Sequence, residues 1–157
     1  MEITLEQGLA AAVRYIQDNA EKGTKLYFDE IPENFYVPSV YFQVPYTAGR
    51  KTTLLSYCTT ITMNCWFMEV KDWDAYAKAA DMRDSIMLDN CILPVYDAEG
   101  NPVGKGIRCT APETRKIDEG IVQLSFSIDV YFHPETEHIK MQKLYLAWKK
   151  VKEKSEE

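Results

Sequence analysis

The sequence predicts an α+β fold: an N-terminal and a central helix pack on one face of a mainly antiparallel sheet, and a C-terminal amphipathic helix follows. Three patterns predict it, namely long alternating segments at residues 120–133 and 53–69 and a helical stripe at residues 4–21. Side chains of a strand point alternately to opposite faces, whereas a surface helix repeats its apolar residues every three or four positions. The 157 residues fit one domain. We expect that domain at residues 1–152 and a frayed tail at residues 153–157.

The segment at residues 120–133 is the most regular of the chain. Its even-numbered residues from Val122 to Phe132 are apolar, and the odd-numbered residues between them are polar or aromatic. Gly120 precedes the pattern, and Pro134, which has no N–H to donate to a neighbouring strand, follows it. The segment is therefore predicted to be a long strand with one face on the core.

The segment at residues 53–69 is predicted to be a second long strand. One face carries Leu55, Tyr57, Ile61, Met63, Cys65 and Phe67. The other carries Leu54, Ser56, Cys58, Thr60, Thr62, Asn64 and Trp66. Both long strands thus combine an apolar face with an uncharged polar face. A strand facing bulk water more often carries lysine and glutamate, so this pattern favours polar faces that are covered in an assembly.

Three helices are predicted. The first begins with a capping box formed by Thr4 and Gln7 and ends at Gly23. Its expected core stripe is Leu5, Leu9, Ala12, Val13, Ile16 and Ala20. The second, at residues 73–88, is expected to be capped by Asp72. Trp73, Tyr76, Ala80, Arg83 and Met87 lie along one side of it, with Ala77, Ala79 and Ile86 near them. The small alanines are expected to allow close approach to the sheet. The C-terminal helix follows Pro134 and carries Met141, Leu144, Tyr145, Trp148 and Val151 at helical spacing.

Shorter elements complete the prediction. Strands are expected at residues 25–30, 37–44, 91–96 and 103–110, the third of them an edge strand because it contains Pro94. Residues 97–102 are rich in turn formers and predict a hairpin or a longer loop between the last two of these strands. Residues 47–52 are expected to form a flexible basic connection, and residues 111–119 an exposed loop.

Composition excludes several classes of protein. The net charge is −6 and the pI about 5.0, so the chain lacks the overall basic surface of a nucleic-acid-binding protein. No segment approaches the 18 or so apolar residues of a membrane span, and the N-terminus lacks the basic region of a secretory signal. The four cysteines include no Cys-x-x-Cys pair, which favours free buried thiols in a reducing cytoplasm.

No motif predicts catalysis, a cofactor or a metal. His133 and His138 in HPETEH have the spacing of neither a zinc protease nor a zinc finger. The glycine-rich residues 100–106 lack the Ser or Thr and the following helix of a phosphate loop. The carboxylates of Asp72 and Asp74 fit the first turn of a helix, where they offset the macrodipole. We therefore expect no catalytic, cofactor-binding or metal-binding residues.

The element order and two runs of sequence resemble the small proteins encoded in tail-gene clusters of phages and prophages of Gram-positive bacteria. The runs are TLLSYCTTITMNCWFMEVKDWDAYAKAADMRDSIM, residues 53–87, and IVQLSFSIDVYFHPETEHIKMQKLYLAWK, residues 121–149. They are similar in particular to the tail terminator (tail-completion, minor tail) proteins of long-tailed phages. The resemblance covers about residues 25–149. It rests on the residue pattern of the strands and on the order of the elements, since the family has no catalytic signature.

This resemblance implies a structural virion protein that forms an oligomeric, six-membered ring. The ring would cap the tail tube, stop its polymerisation and present a surface to the head-completion protein. DNA would pass through an acidic lumen without specific binding. The implied location is the virion tail, with assembly in the host bacterial cytoplasm and no membrane contact. A monomer in isolation is compatible with this, because the tube end can template the ring.

Candidate subunit or partner contacts are selected from loops and polar strand faces. They are Arg50, Lys51, Thr60, Thr62, Asn64, Lys105, Arg108, Ser125 and Ser127. Sequence alone does not tell whether the basic residues among them converge. Two alternatives stay open, namely another neck or tail component such as a head–tail connector, and a small cytoplasmic enzyme. An enzyme predicts a deep pocket with convergent polar groups, whereas a ring subunit predicts flat polar surfaces.

Overall fold

The computed structural model describes residues 3–28 and 30–133. In chain order its elements are α1 (Leu5–Asn19), β1 (Lys25–Tyr27), β2 (Ser39–Phe42), β3 (Tyr46–Lys51), β4 (Tyr57–Met68), α2 (Asp72–Leu88), β5 (Ile92–Tyr96), β6 (Pro102–Arg108), β7 (Glu113–Asp118) and β8 (Ile121–Phe132). The predicted C-terminal helix, the predicted domain end at residue 152 and the tail at residues 153–157 lie outside the described residues.

The main sheet has the strand order β1-β2-β4-β8-β7, and β3 also pairs with β4. Among the strand pairs of the described residues, only β1–β2 is parallel in this sheet. The two long strands β4 and β8 are antiparallel in unbroken register from Tyr57 opposite Phe132 to Met68 opposite Ile121. Strands β5 and β6 form a separate hairpin. The predicted α+β class with a mainly antiparallel sheet and two packed helices is confirmed.

The core lies between the two helices and one face of the sheet, which we call the inner face. The apolar parity predicted for both long strands is confirmed there, since Ile61, Met63 and Cys65 of β4 and the even-numbered residues 122–130 of β8 are buried. The predicted capping box of α1 is present. Gly8 of α1 allows the close approach of this helix, because an added Cβ would lie 3.2 Å from Val130 Cγ2.

The buried sides of both helices differ from the prediction. In α1, Ala12 and Ile16 are buried as expected, but Gly8, Ala11 and Tyr15 complete the buried side. Leu5, Leu9, Val13 and Ala20 are only partly buried. In α2, Ala79 and Ile86 are buried as expected, but the side marked by Trp73, Tyr76 and Met87 was wrong. The buried residues are Ala75, Ala79, Met82 and Ile86, whereas Trp73 is 80% exposed and Tyr76 and Met87 are also exposed. Small residues on the true inner side bring α2 close to the sheet.

Both predicted connections contain strands. Residues 47–52, expected to be flexible, largely belong to β3, which pairs with β4 from Tyr46 opposite Thr62 to Lys51 opposite Tyr57. The expected loop at residues 111–119 contains β7, which pairs with β8. The sequences of β3 and β7 show no alternation because these strands bury few of their own side chains. Backbone hydrogen bonds to a long neighbouring strand hold them in place. The strand predicted from residue 53 begins only at Tyr57, since residues 52–56 form a turn.

The predicted cap of α2 is also corrected. Asp72 is the first residue of the helix, Lys71 occupies the N-cap position, and no side chain caps the helix. The Asp72 carboxylate instead accepts a hydrogen bond from the Gly120 N–H and pairs with Lys116. It therefore ties the start of α2 to the turn between β7 and β8. The predicted hairpin at residues 97–102 is present between β5 and β6.

Candidate interaction surface

The face of the sheet turned away from the helices, which we call the outer face, carries a row of cross-strand hydrogen bonds between β4 and β8. Three successive directly opposed pairs lie along it. Thr62 Oγ1 is 3.0 Å from Ser127 Oγ, Ser125 donates to Asn64 Oδ1 at 2.7 Å, and the Trp66 indole donates to Gln123 Oε1 at 3.1 Å. All six side chains are uncharged and half-buried. Because these polar groups already pair with one another, covering them costs little desolvation.

One end of this row carries charge. Thr60 is opposite Asp129 and donates to its Oδ1 at 2.6 Å, and Arg50 on β3 lies 3.3 Å from Asp129 Oδ2. The Arg50 pKa is raised, chiefly by a side-chain hydrogen bond with Tyr131. Both members of the Arg50–Asp129 pair are largely exposed, so the pair adds little stability and serves to orient the two groups.

A recess of about 710 Å³ continues from this charged end to strand β6. It brings four of the predicted contact residues together, namely Arg50, Thr60, Arg108 and Ser127. Arg108 reaches the recess because the chain after β6 joins the edge of β8, where Cys109 forms an isolated bridge with Ile128. Arg108 has no hydrogen-bond or ion-pair partner among the described residues, and it gives the recess a positive charge beyond the Arg50–Asp129 pair.

The remaining predicted contacts lie in two places. Thr62, Asn64 and Ser125 lie in the row on the outer face and do not line the recess. Lys51 ends β3 and Lys105 lies on β6; both are exposed, and neither lines the recess. Of the four basic residues, Arg50 and Arg108 therefore come together in the recess, whereas Lys51 and Lys105 do not.

The turn between β3 and β4 presents leucines to solvent on a well-bonded backbone. Ser56 Oγ lies 2.7 Å from Thr52 Oγ1 and 2.6 Å from Thr53 Oγ1, and the N–H groups of both threonines donate to the Ser56 carbonyl. Leu54 at the tip is 95% exposed, and Leu55 is also exposed. Exposed leucines occur on many protein surfaces, so this turn offers an apolar contact point but does not by itself mark an interface.

Sequence reasoning missed three features described above. It placed Trp66 and Gln123 on the polar faces of the two long strands but did not select them as contact residues. Their position on those faces was the signal that could have identified them. It assigned Leu54 to a strand, because only the hydroxyl contacts between residues 52, 53 and 56 show that a turn interrupts the alternation. Asp129 was likewise on the polar face and was not selected.

A second recess, of about 570 Å³, lies on the helix side between α2, the end of α1 and the sheet. Lys78 at its centre pairs with Glu21 and Glu69. Burial lowers the Lys78 pKa, but its hydrogen bonds to these two carboxylates outweigh that effect and the net direction is upward. A lysine held charged between two carboxylates acts as a tie between α1, α2 and β4 and is not available as a base.

Other functional predictions can be compared only within the described residues. Within residues 3–28 and 30–133, no group of three or more His, Cys, Asp or Glu side chains is placed to hold a metal ion. His138, Glu135 and Glu137 of the HPETEH run lie outside them. The four cysteines are free thiols, and Cys58, Cys65 and Cys109 are buried. No helix in the described part of the chain has the length and apolar character needed to span a membrane.

Comparison with known proteins links the chain to phage-like elements. No family model matches it. Over 110 residues it is 26% identical to the phage-like element PBSX protein XkdJ of Bacillus subtilis (strain 168), a match that covers 69% of this chain and 75% of that protein. Over 95 residues it is 27% identical to the uncharacterized protein YqbJ of the same strain, covering 60% of this chain and 66% of that protein. The similarity to XkdJ supports a phage or prophage context for this chain.

Proposed function

We propose that this chain is a structural protein of a phage or phage-like particle and acts as a tail terminator. In this role, copies of the chain assemble into a ring on the end of the tail tube, stop its growth and join it to the head-completion protein. The ring is six-membered by resemblance to the tail terminator proteins. The chain works in the virion tail after assembly in the host cytoplasm.

The observation that carries this proposal is the outer face of β4 and β8. Six of its side chains are uncharged, half-buried and hydrogen-bonded to one another in three successive pairs. Such a face can meet another protein without stranding charges or unpaired polar atoms. The similarity to a phage-like element protein supports the particle context.

Ring closure requires that two different patches of each subunit meet. The outer face around Thr62, Asn64 and Ser125 is proposed as one patch. The recess with Arg50 and Arg108 continues it at one end and supplies the positive charge. Lys51 and Lys105 border these surfaces as proposed partner contacts.

The net charge of −6 suits a ring through which DNA passes. Phosphates are repelled by an acidic wall, so the DNA slides without specific binding. Tube protein, head-completion protein and further copies of this chain are therefore the proposed partners, with no cofactor.

Electron microscopy tests the proposal. Tail tubes are polymerised from the tube protein of the same gene cluster, with and without the purified chain. We expect a ring of added density at one end of each tube and tubes that stop growing when the chain is present. Tubes that elongate unchanged and carry no added density would contradict the proposal. Density on the head connector alone would contradict the terminator role and favour a head–tail connector.

A further inference from the structure

Cys91 and Cys109 lie opposite each other at the open end of the β5–β6 hairpin. Ile92 pairs with Arg108 in the antiparallel register, so the next pair outward is Cys91 with Cys109. The Cys109 N–H donates to the Cys91 carbonyl at 2.8 Å, which holds the two backbones together at this pair.

This placement suits a disulfide bond. Directly opposed residues of antiparallel strands have Cα atoms roughly 4.5 to 5.5 Å apart, and disulfides form over Cα separations of roughly 4.4 to 6.8 Å. The Cys91 thiol also lies close enough to the Cys109 thiol to interact with it. Burial, and to a smaller extent the neighbouring Cys91 thiol, raises the Cys109 pKa to about 12.

The two thiols differ in access. Cys91 is half-buried, whereas Cys109 is only 6% exposed. Cys58 and Cys65 are fully buried at positions of opposite parity on one strand, so they cannot bridge to each other. An oxidant from solvent therefore reaches Cys91 first, and the nearby thiol of Cys109 can resolve the product.

We propose that Cys91 and Cys109 form an intramolecular disulfide when the folded chain meets a small disulfide oxidant such as oxidised glutathione. The Cys91 thiolate attacks one sulfur of oxidised glutathione, giving a mixed disulfide and one glutathione thiolate, which takes up a proton. The Cys109 sulfur, losing its proton, then attacks the Cys91 sulfur and releases the second glutathione. Two protein thiols are oxidised by two electrons, and one glutathione disulfide is reduced to two thiols.

The bond would join the end of α2 to the segment that bridges β8. Cys91 follows α2 within three residues, and Cys109 forms the bridge with Ile128. The disulfide would fix the β5–β6 hairpin against the main sheet. The inference depends on these two residues alone and holds whether or not the chain is a tail terminator.

The test uses the full chain, purified in reductant and then exchanged into oxidised glutathione under native conditions. We expect the free thiols titrated after denaturation to fall from four to two, and a non-reducing peptide map to link residues 91 and 109. The melting temperature should rise by roughly 5 to 10 °C and return on reduction.

Matched variants separate this bond from other oxidation. Cys91→Ser is expected to keep its remaining thiols in the reduced form and to show no reversible rise in melting temperature. Cys58→Ser is expected to oxidise like the wild-type chain. Stable glutathione adducts on Cys91, links between chains or an unchanged thiol count in the wild-type chain would each overturn the inference. Because the wild-type peptide map decides the result, a variant that folds poorly does not affect it.

Discussion

At the scale of single residues, Gly120 joins three elements and needs to be glycine. Its N–H donates to Asp72 at the start of α2, and its carbonyl accepts from the Glu69 N–H at the end of β4. Its φ is +70°, and an added Cβ would collide with the Glu69 carbonyl oxygen. The sequence marks Gly120 as the start of a strand, but only the fold brings Glu69 against it.

We predict that Gly120→Ala lowers the free energy of unfolding by roughly 2 to 4 kcal/mol, since it adds a collision to the strain of a positive φ. Gly104→Ala is the matched control, because Gly104 has nearly the same φ, +73°, and nothing within 4 Å of an added Cβ. Urea unfolding of both variants measures the difference. Equal losses would mean that the contact with Glu69 carries no cost.

The lowered pKa of the Asp72 carboxylate predicts that the stability of the fold depends on pH. The hydrogen bond from Lys116, followed by that from the Gly120 N–H, lowers its pKa below the ordinary 3.8. The folded state thus binds the proton less readily than the unfolded state, so this contribution is present above pH 3.8 and is lost as the pH falls through the folded pKa.

We therefore expect Asp72→Asn to lower the melting temperature at pH 7, and the gap from the wild-type chain to close in acid. Thermal unfolding followed by circular dichroism from pH 7 to pH 2 provides the measurement. Asp74→Asn is the matched control, since it makes the same change two positions along the helix on an exposed side chain. A gap that stays constant with pH would argue against the ion pair as the cause.

At the scale of elements, Tyr15 is a polar connection between the two helices. It is buried on α1, and its hydroxyl donates to Asp89 Oδ2 at 2.6 Å and lies 2.9 Å from Ser85 Oγ. Burial raises the Tyr15 pKa to about 12, and the bond to Asp89 acts in the same direction. The folded state therefore holds the phenol proton more tightly than the unfolded state.

We expect Tyr15→Phe to cost roughly 1 to 1.5 kcal/mol at neutral pH, because it removes the hydrogen bonds at little change in volume. The stabilising bond is fully present below pH 10 and is lost as the pH rises toward about 12. The variant and the wild-type chain should therefore converge in urea unfolding between these pH values. Tyr46→Phe, an exposed tyrosine on β3, should match the wild-type chain throughout; a persistent gap for Tyr15→Phe at high pH would refute this account.

Predictability also differs between elements. The long strands were predicted because alternation follows directly from burial of one face. The buried side of α2 was predicted only in part, because apolar residues lie both at Trp73, Tyr76 and Met87 and at Ala75, Met82 and Ile86. Only the packing partners select between these two sides. Strands β3 and β7 left no pattern, because they bury few side chains and are held by backbone pairing.

At the scale of the whole molecule, the alternation of side chains along each strand predicted which residues lie on the outer face. Which of them form hydrogen-bonded pairs depends on the register between β4 and β8. Thr62, Asn64, Ser125 and Ser127 were selected one strand at a time, and their hydrogen bonds required β4 and β8 to meet in one specific alignment. Arg108 joins Arg50 only because the chain after β6 returns to the edge of β8. Contacts of this kind depend on chain topology and leave no local signal.

A charge placed in the row of hydrogen bonds on the outer face should therefore separate folding from assembly. Thr62 is half-buried in this row, between the Thr60–Asp129 pair and the Asn64–Ser125 pair, and a lysine there can extend to solvent in a lone subunit. In a closed interface the same charge would be buried without a partner, at a cost of several kcal/mol. We expect Thr62→Lys to keep the melting temperature within about 5 °C of the wild-type chain, since a surface change costs little.

The number of rings on tube ends, counted by electron microscopy, should fall at least tenfold for Thr62→Lys. Every subunit of the ring carries the substitution, so the charge would be buried at each subunit contact. Ala98→Lys adds the same charge at the exposed turn of the β5–β6 hairpin, next to α1, whose Arg14 lies over the Tyr96 ring, and should leave ring counts unchanged. If both variants form rings like the wild-type chain, the subunit contact lies elsewhere. If both lose them, the loss follows added charge in general and does not locate the contact on the outer face.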